Sequence, residues 1–264
     1  MSLLVVELAA SCLLLLVAAL VRARRRPTLP SRLIPLVALG VLNPGLAYAL
    51  GLWGLASIGA SMSVLLWAAE PILVLVLASV VLRERLIART AGLVGTACAG
   101  VLVVTYNPGA SGSAHGIMLT LAAVSACACY TVLTRRMHLD DSASVVVLVQ
   151  QATALGFAVV LAVGSAYMGL ADLRFPSDVA TWALAAASGT VYYGLAFWFF
   201  VGGLRGVAAS TAGALLPLTP VFGLIAGRIA GDQLTGRAWG GAALIVLATV
   251  VLGIHEARRT TTTA

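Results

Sequence analysis

Glu70 is the residue whose type and place point most directly to chemistry. It lies near the middle of the apolar run 61–82, which is long enough to cross a membrane. An acid at that depth costs about 2.5–3.5 kcal/mol on insertion scales, so it normally faces a cavity or a polar partner. Removal from water favours the neutral carboxyl. A carboxyl that exchanges its proton as a cavity opens could couple solute movement to protons; a permanently protonated one would only bond a neighbouring helix.

Two further side chains share a helix face with this acid. Ser63 and Trp67 precede Glu70 by seven and three residues, which places all three on one side of a helix. An acid beside an indole could bind a cationic or aromatic solute. Packing against lipid or the protein core is the alternative for Trp67. We predict that all three bind the solute.

Polar residues also interrupt two other apolar runs. Tyr192 and Tyr193 lie mid-run in 180–202, and a shift of the chain by 149 residues sets them opposite Asn43 and Pro44. Phenol hydroxyls at that depth need hydrogen-bond partners. We interpret Asn43, Tyr192 and Tyr193 as lining of a solute cavity. Glu7, close to the chain start, could reach water instead.

Four prolines fall in the interior of apolar runs, beyond the first turn, where each removes one hydrogen bond of a helix and crowds a carbonyl group. Neighbouring groups must then bond the freed carbonyl, since the membrane interior offers no water. The paired positions of two of them favour a hinge or cavity-shaping role, and a static kink is the alternative. The four are Pro44, Pro71, Pro217 and Pro220.

The composition indicates an integral membrane protein. Of 264 residues, 61% are hydrophobic and only 9% are charged, with a mean hydropathy of +1.06. The net charge of +7 does not indicate nucleic-acid binding, because the basic residues are all arginines and most of them lie at the ends of apolar runs. The four cysteines form no CxxC pair and the three histidines form no ligand pair, so we expect no metal and no cofactor.

Nine apolar runs account for most of the chain, so we predict an all-α, polytopic transmembrane helical bundle. The runs are continuous rather than alternating, which argues against a membrane barrel. The predicted spans are 3–21, 33–53, 61–82, 91–106, 116–134, 143–164, 180–202, 210–230 and 238–254.

The arginines predict the orientation of the bundle. If the first span runs inward, 13 of the 16 arginines fall on the cytoplasmic side, which is a strong positive-inside bias. We therefore expect the C-terminus in the cytoplasm. The 13 are Arg22, Arg24, Arg25, Arg26, Arg32, Arg83, Arg85, Arg89, Arg135, Arg136, Arg205, Arg258 and Arg259.

The shift of 149 residues reveals an internal repeat. The run from Gly40 to Pro71 meets the run from Gly189 to Pro220, and Ala60-Ser61 meets Ala209-Ser210. After a slip of one residue, Glu84 meets Asp232 and Arg89 meets Arg237. A looser alignment pairs Glu7 with Gln151. Equivalent spans run in opposite directions, so the repeats are inverted, as in many transporters.

With these motifs the sequence resembles the drug/metabolite transporter superfamily, EamA type. The family repeat ends with a proline inside a helix, an acidic residue with leucine two positions on, and a glycine-rich helix. Here that is Pro71, Glu84-Arg85-Leu86 and Gly92, and again Pro220, Asp232-Gln233-Leu234 and Gly240. The resemblance implies ten helices with both termini in the cytoplasm. This chain lacks the first helix, through a misassigned start or a shortened form, so we predict repeats of four and five spans, residues 1–110 and 111–264.

These features favour a secondary transporter without enzymatic activity. We expect it to move a small metabolite, amino acid or drug-like solute across the cytoplasmic membrane by alternating access, with proton-coupled efflux as one form. No Walker A sequence is present, and the intramembrane ionisable groups form no catalytic set. The expected partners are the solute and the lipid bilayer, without nucleic acid, and the expected state is a monomer or homodimer. The alternatives are a non-transporting scaffold, a truncated inactive homologue and, with least support, an intramembrane enzyme.

Overall fold

The computed structural model forms a polytopic bundle of helices, as predicted. It describes residues 2–22, 32–58, 60–84, 88–105, 113–137, 141–169, 178–229 and 236–262. Within these ranges, five helices are long and apolar enough to cross a membrane: Ser2–Val21, Leu33–Leu55, Ala114–Arg136, Ala143–Tyr167 and Val179–Gly203. Four shorter apolar helices complete the nine segments: Glu70–Val81, Ala88–Val104, Ala209–Phe222 and Trp239–Leu252. Of the motifs quoted above, Arg85, Leu86 and residues 232–234 lie outside the described residues.

Four of the nine predicted spans, 33–53, 61–82, 180–202 and 210–230, are interrupted, and the interruptions form two pairs related by the repeat. The first pair is Leu33–Gly40, Val41–Leu46, Ala47–Leu55 and Val179–Ser188, Gly189–Ala196, Phe197–Gly203. The middle stretch of the first segment is a kink at which Asn43 leaves helical dihedrals, whereas the middle stretch of the second is π-helical. The second pair is Ala60–Trp67, Glu70–Val81 and Ala209–Gly213, Leu218–Ile229. The repeat seen in the sequence therefore recurs as a repeat of helix breaks.

Prolines account for three of the four breaks. A proline ring clashes with the carbonyl of the residue four positions earlier, so a helix tends to end there. Helices end at Gly40, four residues before Pro44, and at Trp67, four before Pro71. The short helix Ala209–Gly213 likewise ends four residues before Pro217. Pro71 and Pro220 then fall in the first turns of the restarted helices, where proline is well tolerated.

Side-chain caps fix the starts of two long helices. Ser142 accepts a hydrogen bond from the Val145 N–H at the start of Ala143–Tyr167. Asp178 accepts bonds from the Thr181 N–H at 2.8 Å and from its hydroxyl at 2.7 Å, and these bonds lower the pKa of Asp178 below its usual value. Both caps pair backbone donors that a helix start leaves open.

The helices group into two compact units, and each unit takes segments from both halves of the sequence. Unit 1 is Met1–Ala49 with Met137–Gly206, and unit 2 is Leu50–Arg136 with Val207–Ala264. Apolar clusters fill each unit, such as Leu15, Leu36 and Val147 in unit 1. The repeat bounds 1–110 and 111–264 describe sequence halves and stay a prediction.

Two close helix crossings organise unit 1. At Gly189 a Cβ atom would overlap the backbone of Glu7, and at Gly40 it would overlap the backbone of Gln150. Gly40 and Gly189 are repeat equivalents, so the two crossings are equivalent as well. The structure therefore pairs Glu7 with Gln150, one residue before the Gln151 of the looser sequence alignment. Glycine at such a crossing lets two helices approach closely.

Unit 2 contains a carboxylate that joins two distant parts of the chain. After the helix Glu70–Val81, Arg83 adopts a left-handed conformation (φ 56°) and the Glu84 N–H returns to Ala78 O. This turn brings the Glu84 carboxylate to the start of the helix Ala209–Gly213. There it accepts bonds from Ala209 N, Ser210 N and Ser210 Oγ at 3.0, 3.1 and 2.6 Å.

Candidate functional site

The predicted site residues divide between the two units. Asn43, Tyr192 and Tyr193 belong to unit 1, whereas Ser63, Trp67 and Glu70 belong to unit 2. Each group is therefore described within its own unit. Their predicted binding of a solute stays a prediction.

Unit 1 contains a cluster of three tyrosines, formed by Tyr48, Tyr192 and Tyr193. The Tyr48 and Tyr192 hydroxyls are 2.5 Å apart. The three rings meet edge to face, with centroids separated by 5.0–5.9 Å. Tyr193 is only 5% exposed, while Tyr192 is 46% exposed. The tyrosine cluster thus has a buried base and an exposed ring.

A buried amide supports the backbone on which two of these tyrosines stand. Gln151 is fully buried, and its Nε2 donates to Tyr193 O at 2.8 Å. In a regular helix the Phe197 N–H would bond that carbonyl, but here it bonds Gly194 O instead. Gln151 therefore supplies a side-chain donor to a carbonyl that the Phe197 N–H does not bond, which suits the membrane interior.

Asn43 occupies the equivalent break in the other half. Its backbone leaves the helical region (φ −150°, ψ 124°) immediately before Pro44, and its side chain is 5% exposed. Among the described residues, Asn43 Oδ1 has no hydrogen-bond partner. A buried acceptor without a partner is costly, so this oxygen is suited to a donor from outside the described protein atoms.

Glu7 joins this set of polar groups in unit 1. Ser188 Oγ donates to Glu7 Oε1 at 2.8 Å across the Gly189 crossing. Ser188 is exposed and Glu7 is partly buried. The bond links the first helix to the residue directly before the π-helical stretch Gly189–Ala196.

In unit 2, Glu70 is the first residue of the helix Glu70–Val81. Its side chain is partly buried and has no hydrogen bond or ion pair with the described residues. Trp67 ends the preceding helix, and its Cζ2 lies 3.5 Å from where a Cβ of Gly51 would be. Ser63 is buried. Cys98 Sγ donates a hydrogen bond to Ala68 O within the break, so a neighbouring helix stabilises the break.

The prolines lie where they were expected to disturb helices. Pro44 and Pro71 stand just after helix ends, Pro217 lies in the turn between two helices, and Pro220 follows it in the next first turn. The breaks are observed, whereas hinge motion at Pro44, Pro71, Pro217 and Pro220 stays a prediction.

Sequence reasoning overlooked Tyr48 and gave little weight to Gln151. Tyr48 lies five residues after Asn43 and aligns with Phe197 in the repeat, so an aromatic signal was present at both positions. The role of Gln151 depends on its bond to the Tyr193 carbonyl, and no sequence pattern predicts which backbone carbonyl a side chain on another helix will bond. Within the described residues, no group of three His, Cys, Asp or Glu side chains could hold a metal ion.

Comparison with known proteins agrees with this architecture. One solved structure, described only as a crystal structure of a protein, aligns with 98% of this chain and 88% of its own, at a TM-score of 0.81 and 20% identity. This likeness shows the fold alone. A search of curated proteins found no match. The model of the EamA-like transporter family matches residues 1–106 and 114–254. Two matched repeats spanning most of the sequence show that the chain belongs to the EamA-like transporter family and is a multi-pass membrane transporter of the drug/metabolite type.

Proposed function

We propose that the chain is a secondary transporter that exports a small metabolite, amino acid or drug-like solute across the cytoplasmic membrane, coupled to protons. The pairs of helix breaks at repeat-equivalent positions are the observation that carries this proposal. Discontinuous helices in inverted repeats are typical of transporters that alternate between two open states. A static scaffold has no need to release backbone hydrogen bonds at equivalent places in both halves.

The solute-binding role falls to residues at these breaks. In unit 1 the accessible ring of Tyr192, the buried ring of Tyr193 and the unpartnered Asn43 Oδ1 offer aromatic contact and one acceptor. In unit 2, Ser63 and Trp67 precede the break at Glu70. Aromatic faces and few polar groups suit a small solute with an aromatic or cationic part.

Glu70 is the proposed proton carrier. Partial burial opposes the charged carboxylate. Its place at the start of the helix Glu70–Val81 has the opposite effect, because a helix N-terminus stabilises negative charge. A carboxyl balanced between these effects can exist in both protonation states during a transport cycle.

The test is transport by the purified chain in proteoliposomes with an imposed pH gradient. The panel comprises tryptophan, spermidine, uridine and tetraphenylphosphonium, which represent an aromatic amino acid, a polyamine, a nucleoside and an organic cation. We expect at least one to accumulate against its gradient and to leak away when a protonophore is added. If none moves faster than in protein-free vesicles, the proposed function is wrong. Accumulation that survives the protonophore would contradict proton coupling alone.

A variant pair connects the transport to the tyrosine cluster. Tyr192→Ala removes the accessible ring and should raise the KM for the transported solute about tenfold, since an aromatic contact contributes roughly 1 kcal/mol or more. Tyr167→Ala is the matched control, because Tyr167 ends another helix of unit 1 and is 93% exposed. Equal KM values for the two variants would remove Tyr192 from the site.

A further inference from the structure

Glu7 is held in place by helix packing and is not part of a loose chain end. It lies in the first helix, Ser2–Arg22, five residues after the helix begins, or about 7–8 Å along its axis. Its backbone forms the crossing with Gly189, where no side chain fits between the two helices. The carboxylate therefore has a fixed origin inside unit 1.

The contacts of this carboxylate leave one oxygen available. Ser188 Oγ bonds Oε1 at 2.8 Å, and no other hydrogen bond or ion pair joins Glu7 to the described residues. The side chain is partly buried and its partner Ser188 is exposed. A carboxylate this far into a span is expensive against lipid, so an accessible polar space is the favourable neighbour.

An aromatic surface lies one turn further along the same helix as Ser188. Tyr192 follows Ser188 by four residues, about one turn of the π-helical stretch Gly189–Ala196, so the two residues lie on roughly the same side of the helix. The Tyr192 ring is 46% exposed, and its hydroxyl is held by the Tyr48 hydroxyl. Ser188, which holds the acid, and the Tyr192 ring are therefore about one turn apart, a spacing that suits an ammonium group and an aromatic ring joined by a short alkyl chain.

We propose that Glu7 is the ammonium-binding acid of a site for primary aryl-alkyl amines. The amine donates its N–H bonds to the Glu7 carboxylate, which Ser188 orients through the other oxygen. The aromatic ring of the amine packs against Tyr192, which Tyr48 holds in position. The inference rests on the proposed function, in that the tyrosine cluster must contact the transported solute, and it adds the acid and the solute class.

The experiment measures binding with two probes that differ in charge. Isothermal titration of the purified full chain in detergent compares 2-phenylethylammonium with 2-phenylethanol, which has the same ring and spacer but no charge. We expect the wild-type protein to bind the amine at least tenfold more tightly. Glu7→Gln should abolish this preference and leave alcohol binding unchanged, while Tyr192→Ala should weaken both. Glu7→Asp keeps the charge and should retain a reduced preference, which guards against misfolding of the Gln variant.

The matched control is Asp178→Asn, which removes one negative charge from the end of the helix that carries Ser188 and preserves its cap. It should keep the preference for the amine. Equal binding of both probes by the wild-type protein, no binding of either, or an unchanged preference in Glu7→Gln would overturn the inference. Transport of any panel solute would still support the proposed function in those cases, so the two failures are distinguishable.

Discussion

Glu70 begins a half-helix, and this position determines which variant is informative. Glu70→Gln keeps the size of the side chain and removes its proton exchange. We expect flux through this variant to lose its dependence on the pH gradient, because the neutral amide corresponds to one fixed state of the carboxyl. The measurement is the initial rate of solute flux in proteoliposomes at several imposed gradients.

Two controls accompany the flux measurement on Glu70→Gln. Glu70→Gln should elute as the same monodisperse species as the wild-type protein and remain helical, since a neutral group at this depth is easier to insert. Glu70→Asp should retain a gradient dependence with a lower rate. An unchanged pH dependence in Glu70→Gln would show that Glu70 is structural.

The sequence singled out candidate residues but did not predict their contacts. The cost of an acid inside a span identified Glu70, and the repeat brought Asn43 and Tyr192 to attention. The Tyr48–Tyr192 and Glu7–Ser188 bonds join residues more than 140 positions apart. Pairings of that kind depend on how helices cross, which single-residue patterns do not specify.

At the scale of elements, the glycine crossings of unit 1 predict a loss of stability. In Gly189→Ala the new methyl group would overlap the backbone of Glu7, which has no flexible side-chain end to give way. We expect a loss of about 1–3 kcal/mol in the free energy of unfolding, as for other overpacked sites. Thermal unfolding in detergent, followed by tryptophan fluorescence, measures it.

A matched variant controls for the effect of alanine itself. Gly156→Ala places the same methyl group in the helix Ala143–Tyr167, where no atom lies within 4 Å. It should be neutral or stabilising by up to about 1 kcal/mol, because alanine favours helix more than glycine does. Equal melting temperatures for the two variants would show that the Gly189 crossing opens at little cost.

The Glu84 contact gives a second prediction at this scale. Glu84→Ala removes three hydrogen bonds to a carboxylate and should lower the free energy of unfolding by about 2 kcal/mol. Ser210→Ala removes only the hydroxyl bond and should cost less. The same unfolding measurement ranks the two. A larger loss in Ser210→Ala would mean that the backbone bonds at Ala209 and Ser210 contribute nothing.

Prolines predicted three of the four helix breaks, whereas the fourth break contains no proline that could have predicted it. The stretch Gly189–Ala196 contains no proline, yet it is the repeat equivalent of Val41–Leu46. Its irregular backbone is supported by Gln151 and by the close crossing at Gly189. Tertiary contacts therefore stabilise the helix break at Gly189–Ala196, whereas Pro44 causes the equivalent break in the other half.

At the scale of the whole molecule, the compact units do not follow the sequence halves. Each unit combines spans from both repeats, because an apolar helix in a membrane gains most from close packing and the glycine crossings join opposite halves. Hydropathy predicts the number of spans and the arginine distribution predicts their orientation, but neither indicates which helices cross. This is why the all-helical class was predictable and the grouping into units was not.

The orientation of the whole bundle in the membrane can be tested by labelling single cysteines. The arginine distribution predicts a cytoplasmic C-terminus. Cys12, Cys98, Cys127 and Cys129 are free thiols, so they are first replaced by alanine. A single cysteine at position 258 should then react with an impermeant maleimide only after the cells are permeabilised. A cysteine at position 174 should react in intact cells, because the same orientation places the loop between the predicted spans 143–164 and 180–202 outside. The reverse pattern would overturn the orientation, and with it the direction in which the proposed export runs.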